Sequence, residues 1–158
     1  MNTIVGKIDG KNLRIAVVVS QINKSVTDKL CKGAVDTLIS SGVTDENITV
    51  VKVPGVMEVP RITSILSEID VFDGIIALGV VVKGETTNSD YVSKESSRGV
   101  AQTSLTGQIP VMFGILTTDN MDQAMNRAGG KAGNKGSECA TGVLEMIDIE
   151  NQISKLSL

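Results

Sequence analysis

Residues 74–90, GIIALGVVVKGETTNSD, join a nearly continuous apolar run to a polar, glycine-bearing turn and then to a helix-like segment. A run without polar alternation, Gly74 to Val82, reads as a strand covered on both faces, which means a parallel sheet. In open parallel α/β sheets ligands settle beyond the carboxyl ends of the strands, so the turn Lys83-Gly84-Glu85-Thr86 lies where chemistry is expected. Gly84 tolerates backbone angles that other residues avoid, and the amides around Glu85 and Thr86 are placed to converge on an anion. A plain surface loop between strand and helix fits the same residues.

Outward from this stretch the pattern repeats. Leu13 to Ser20 and Ile48 to Val53 are apolar strand candidates before it, and Pro110 to Leu116 follows it. Between them come helical patterns. The first is capped by Ser25 with Asp28 three residues on, carries Val26, Leu30, Ala34 and Leu38 on one stripe, and stops at Gly42. The second runs from about Val56 to Ile69 with Ile62, Ile65, Leu66 and Ile69 inward. A third spans about Asp90 to Leu105. A fourth is capped at Thr117-Thr118-Asp119 and reaches Ala128. Residues 129–136 read as a flexible loop before a last helix burying Cys139, Val143, Met146 and Ile147. Strand and helix alternating four times predict one domain, residues 1–158, in three layers, with residues 1–10 as an arm or edge strand.

At 158 residues the chain is long enough to bury roughly two thirds of its unfolded surface. It has two Phe, one Tyr and no Trp, so Met57, Met112, Met121, Met125 and Met146 are expected among the aliphatic core fillers. A net charge of −3 with scattered Lys and Arg gives no nucleic-acid or anionic-membrane surface. No apolar stretch spans a bilayer and no signal-peptide order opens the chain, so a cytosolic, reduced protein is expected, with Cys31 and Cys139 buried. The chain has no His. That excludes Ser-His-Asp and Cys-His nucleophilic pairs, and leaves proton transfer to carboxylates, Lys, Tyr91, water or substrate.

Two further motifs admit a bland and a functional reading. Residues 129–137 miss the spacing of a nucleotide phosphate loop, yet Arg127, Lys131 and Lys135 flank glycines at a helix start and would suit a phosphate ester as well as solvent. Glu58 follows a strand end, where its carboxylate would either accept hydrogen bonds from a polyol or answer a helix dipole.

Together, VPGVMEVP (53–60), LGVVVKGETT (78–87), FGILTT (113–118) and RAGGKAGNKG (127–136) resemble the 6,7-dimethyl-8-ribityllumazine synthase family of riboflavin biosynthesis, over about residues 1–149. The resemblance implies a flavodoxin-like fold with a four-stranded parallel sheet and helices on both faces. It implies pentamers whose active sites lie between subunits, with the N-terminal arm added to a neighbour. The reaction implied condenses 5-amino-6-ribitylaminouracil with 3,4-dihydroxy-2-butanone 4-phosphate, without metal or cofactor. By position, Gly84, Glu85, Thr86 and Arg127 match the phosphate site. Glu58 matches the acid that holds the ribityl chain, and Val81 and Val82 match the backbone that reads the pyrimidine. Phe113 and Lys135 match a neighbour's contribution. Val56, Met57 and Lys83 fall within the same substrate-binding blocks, and Asn23 ends the segment Ser20-Gln21-Ile22-Asn23, which matches the family's S-R-F-N block. Some members close twelve pentamers into a 60-subunit shell, and the lack of an insertion in residues 127–136 favours that form.

The pattern is broken at the site itself. Asn88 stands where the family has its proton-shuttling His. Ile22 replaces a stacking Phe, Gln21 an Arg, and Met57 a common aromatic. A slow synthase working by proximity is therefore the first expectation, with Lys135, water or the substrate phosphate moving protons. A non-catalytic shell scaffold or flavin- or lumazine-binding paralogue is the alternative. An unrelated FMN protein fits less well, because the first strand-helix turn lacks a Ser/Thr/Gly-rich phosphate cradle.

Overall fold

The computed structural model describes residues 1–84 and 88–156. Four strands form one parallel sheet in the order β2-β1-β3-β4: β1 (Ile15–Ser20), β2 (Ile48–Val53), β3 (Gly74–Val82) and β4 (Val111–Thr118). The central strands β1 and β3 are almost wholly buried, as an unalternating apolar run requires when helices cover both faces. Side chains of a strand alternate between faces. Thus Ile15, Val17 and Val19 join Ile76, Leu78 and Val80 against α1 (Lys24–Ser40) and α5 (Lys135–Ser154). Ala16, Val18, Ile75, Ala77 and Val81 instead meet α2 (Val59–Glu68) and α3 (Asn88–Thr106). The fold is flavodoxin-like, as the sequence implies.

The α1 stripe is buried at Val26, Leu30, Ala34 and Leu38, but its start is not a Ser25 capping box. The cap residue is Asn23, in the left-handed conformation at φ 59 with no side-chain capping bond; Asn adopts this conformation more readily than most residues. Pro60 occupies the first turn of α2, where a missing N–H costs no helical bond, and a short 3-10 turn over Val56–Glu58 precedes the helix. The inward face of α2 agrees with expectation at Ile62 and Leu66, which pack against the core, and differs at Ile65 and Ile69. Val59 and Thr63 are buried, whereas Ile65 and Ile69 are 46% and 48% exposed. Strand β4 runs on to Thr118, so Asn120, not residues 117–119, caps α4 (Met121–Asn126) by accepting the Gln123 N–H at 2.9 Å. Residues expected as a flexible loop contain a small antiparallel hairpin, β5 (Ala128–Gly130) and β6 (Gly133–Asn134). On α5, Cys139, Val143 and Ile147 are buried, but Met146 is exposed and Ala140 and Leu144 take its place.

Cys139 is a core thiol whose pKa burial pushes up to about 11, Lys135 opposing weakly. Cys31 is only half-buried, and burial again raises its pKa. Neither thiol is poised as a nucleophile, because the thiolate is the reactive form. No helix among the described residues is long and apolar enough to cross a membrane.

Residues 5–7 of the arm lie along α5 of their own chain. Asp148 Oδ2 accepts the Lys7 backbone N–H at 2.8 Å and the Gln152 Nε2 amide at 2.7 Å, while Gln152 Nε2 also donates to the Val5 carbonyl at 2.9 Å. Gly6 fits between because a Cβ there would collide with the Glu145 carbonyl oxygen. The Lys7 amide first, and Gln152 second, hold the Asp148 pKa below its ordinary 3.8. A carboxylate with a depressed pKa contributes attachment that is complete above the unfolded value and lost as pH falls through the folded one. The arm should therefore stay docked at neutral pH and detach only in acid below about pH 4. Asp148→Ala should speed exchange of the Lys7 amide severalfold at pH 7, the difference from the unchanged protein narrowing as pH falls through the folded pKa of Asp148; hydrogen-exchange mass spectrometry of residues 1–10 checks both.

Candidate functional site

The carboxyl ends of β1 and β3 open into a cleft of about 400 Å³, a size that suits a small organic ligand. Its walls come from four places. Ile22 and Asn23 follow β1, Gly55 to Glu58 follow β2, Val80 to Val82 and Gly84 end β3, and Asn88, Ser89 and Val92 belong to α3. This is the crevice position expected of a parallel sheet, where strand ends point their backbone groups outward and consecutive crossovers part.

Local bonds fix each wall. The buried Ser20 Oγ accepts the Ile22 N–H at 3.2 Å, and the Gln21 N–H donates to the Val53 carbonyl at 2.9 Å, so the turn after β1 is tied to β2. The Glu58 N–H donates to the Gly55 carbonyl at 3.2 Å, closing the 3-10 turn that brings the Glu58 side chain back over Gly55. Beyond β3, the Lys83 N–H donates to the Thr118 carbonyl at 2.8 Å, and Lys83 Nζ lies 3.4 Å from Asp119 Oδ1. Both of those side chains are largely exposed, so the ion pair adds little stability and the backbone bond is what ties the chain leaving β3 to β4.

Of the residues singled out in the sequence, Ile22, Asn23, Val56, Met57, Glu58, Val81, Val82, Gly84 and Asn88 share this cleft. Met57 is 46% exposed there, not a core filler as its type suggested. Glu85 and Thr86 lie outside the described residues. Lys83 sits at the margin. Arg127 and Lys135 are not among the lining residues of the cleft. They flank the β5–β6 hairpin, which packs against α1 on the opposite sheet face, and the Lys135 N–H donates to the Arg127 carbonyl at 2.9 Å. Phe113 is on the edge strand β4, where with Val100, Leu105 and Val111 it borders a separate apolar groove. Sequence reasoning passed over Gly55, Val80, Ser89 and Val92, which also line the cleft.

The lining is apolar except for the Glu58 carboxylate, the Asn23 and Asn88 amides, the Ser89 hydroxyl and exposed backbone, and no aromatic ring is among its described members. Such a lining offers apolar contact to the body of a ligand and, at Glu58, carboxylate oxygens that accept hydrogen bonds. The sequence matches the family model of 6,7-dimethyl-8-ribityllumazine synthase over residues 12–151. The chain belongs to the 6,7-dimethyl-8-ribityllumazine synthase family. It is 53% identical over 156 residues to the 6,7-dimethyl-8-ribityllumazine synthase of Levilactobacillus brevis, covering 99% of both chains. It is 51% identical over 155 residues to that of Pediococcus pentosaceus, covering 98% of this chain and 99% of that one. Lumazine synthases are transferases of riboflavin biosynthesis, so membership implies small-molecule substrates.

Proposed function

We propose that this chain is a 6,7-dimethyl-8-ribityllumazine synthase, joining 5-amino-6-ribitylaminouracil to 3,4-dihydroxy-2-butanone 4-phosphate with release of phosphate and water. The observation that carries the reading is the convergence of Val81, Val82, Glu58 and Asn88 on one cleft at the strand ends. In this reading the backbone of Val81 and Val82 takes the edge of the pyrimidine, Ile22 and Met57 cover its faces, and Glu58 accepts hydrogen bonds from the ribityl hydroxyls. The phosphate lies toward Gly84, Glu85 and Thr86.

The chemistry asks for placement more than for acid–base power. The primary amine adds to the ketone carbon, water leaves to give an imine, phosphate is eliminated, and the second amine closes the ring with loss of water. Holding amine and ketone in contact supplies most of the acceleration. Asn88 can donate to or accept from a reacting oxygen, but its amide does not exchange protons as an acid or base. Water, the substrate phosphate or Lys135 carries them instead, and turnover is slow.

Arg127, Lys135 and Phe113 are outside the cleft of their own chain and complete that of a neighbouring copy, Arg127 meeting the phosphate and Phe113 supplying the ring this chain's own walls lack. The assembly is a pentamer, and the short hairpin at residues 128–134 favours closure into a 60-subunit shell. The presence of Ile22 and Asn88 in the cleft itself is what supports the rival, a binding or scaffold protein without turnover.

The deciding experiment follows lumazine absorbance from both substrates against the spontaneous reaction. A rate clearly above background establishes the synthase. A rate equal to background, in this protein and in Asn88→His alike, overturns it in favour of the rival.

A further inference from the structure

Among the described residues, Met57 is the one sulfur-bearing side chain that lines the cleft. Its direction follows from the turn that carries it. In the 3-10 turn Val56–Glu58 successive side chains part by about a third of a revolution. Val56 takes the inward direction: it is buried, and Gly79 leaves room for it, since a Cβ there would stand 3.3 Å from Val56 Cγ2. Val59, three residues on, is wholly buried as well. Met57 is therefore turned out onto the cleft, 46% exposed, and the bond from the Glu58 N–H to the Gly55 carbonyl holds the turn in that form. An opening that admits a substrate with a ribityl chain also admits a peroxide, which is far smaller.

The remaining sulfurs compete poorly or lie elsewhere. Burial raises the pKa of both thiols, Cys139 to about 11, so at neutral pH neither supplies the thiolate that reacts with peroxide. A thioether needs no deprotonation. Its sulfur lone pair attacks one peroxide oxygen, the O–O bond breaks, the sulfur is oxidised by two electrons to the sulfoxide and the peroxide is reduced to water. Met121 and Met146 are exposed to a similar degree, 39% and 38%, but neither lines the cleft. We propose that Met57 is an oxidation site through which hydrogen peroxide closes the cleft to its heterocyclic ligand, the sulfoxide setting a polar S=O on a wall that otherwise gives apolar contact. This rests on the synthase reading of the cleft, in which Ile22 and Met57 cover the faces of the ring.

The assembled protein treated with hydrogen peroxide tests the assignment, with oxygen uptake at each methionine read by peptide mass spectrometry and binding of 6,7-dimethyl-8-ribityllumazine by calorimetric titration. Met57 should convert along with Met121 and Met146, and lumazine affinity should fall about tenfold, as when a polar group is buried without a partner. Lumazine bound during the treatment should shield Met57 and leave Met121 and Met146 to react. Met57→Leu, which nearly conserves volume and carries no sulfur, should after the same treatment stay within about twofold of its own untreated affinity. The proposal is overturned by a Met57 that stays unoxidised while Met121 and Met146 convert, or by bound lumazine that fails to shield it. It is overturned equally by an oxidised protein that binds as before, or by a Met57→Leu variant that loses as much affinity as the wild type. If the untreated protein does not bind the lumazine, the synthase reading fails and takes the proposal with it, whereas binding that survives oxidation of Met57 refutes the proposal alone.

Discussion

Replacing Asn88 by His is expected to accelerate lumazine formation about 100-fold, the usual contribution of a positioned general acid–base group. Asn88 is the first residue of α3 and its side chain lines the cleft beside Val81 and Val82. An amide there can orient a reacting oxygen, whereas an imidazole can also take the proton released as the amine adds and return it as water leaves. The chain offers an unusually clean reading of this change, because it contains no other His. Wild-type kcat/KM should vary between about pH 5.5 and 8 only with the second ionisation of the substrate phosphate, near pH 6, and the ratio of variant to wild type should acquire one inflection near pH 6.5. Its position at the positive end of α3 disfavours imidazolium, so the inflection should fall somewhat below the free-imidazole value. Neutral imidazole is then the dominant form at pH 7, ready to act as base. Asn88→Ala separates the two roles of the site: it should weaken substrate binding without gaining rate. A His variant no faster than wild type, or faster with no new inflection, would refute proton transfer as the missing function at position 88.

Much of this arrangement was legible in the residues because buried parallel strands leave a strong signal. Gly74 to Val82 lacks polar alternation, and the structure buries it on both faces for the same reason that the pattern exists. The α1 stripe was equally plain. On α2 periodicity misled: Ile65 and Ile69 share an apolar register, yet a register says only that a face is apolar, not what covers it. Within the chain the core takes Val59, Thr63 and, in part, Ile62 and Leu66, while Ile65 and Ile69 face outward. The hairpin at residues 128–134 left little trace, since its strands are three and two residues long and glycine-rich. Of the site, the residues with distinctive chemistry, Glu58 and Asn88, were visible in the sequence. Ser20 was not, because it acts by holding a turn. Phe113, Arg127 and Lys135 show the opposite case: their sequence blocks mark them for the site, while their own chain's topology sets them away from its cleft.

Gly136→Ala should be the most destabilising small substitution in the chain. Gly136 is buried in the first turn of α5, and a Cβ there would overlap the Leu30 carbonyl oxygen and lie 2.8 Å from the Leu30 carbonyl carbon. Both are backbone atoms of α1, so no side-chain rotation relieves the contact; the two helices must separate. Their contact is the core of this face, where Leu30 and Ala34 pack with Cys139, Ala140, Val143 and Leu144. It is also pinned by Asn134, whose Nδ2 donates to the Lys29 carbonyl at 3.0 Å while its Oδ1 accepts the Ser137 N–H at 3.1 Å. Overpacking of this kind costs about 3 kcal/mol, which for a chain of this length is a fall in Tm of roughly 10 °C. Gly142→Ala on the same helix supplies the contrast. Its Cβ would meet only the Met112 side chain, at 2.5 Å from the flexible Cε end, and alanine favours the helix by up to about 1 kcal/mol. The two substitutions are chemically identical, so calorimetry should find Gly142→Ala within about 1 kcal/mol of wild type and Gly136→Ala far below it. Lys135 precedes the strained position and its N–H is bonded to Arg127, so parting α5 from α1 also shifts both cations. Lumazine formation by Gly136→Ala should consequently fall even at temperatures where the protein remains folded, while Gly142→Ala keeps its rate.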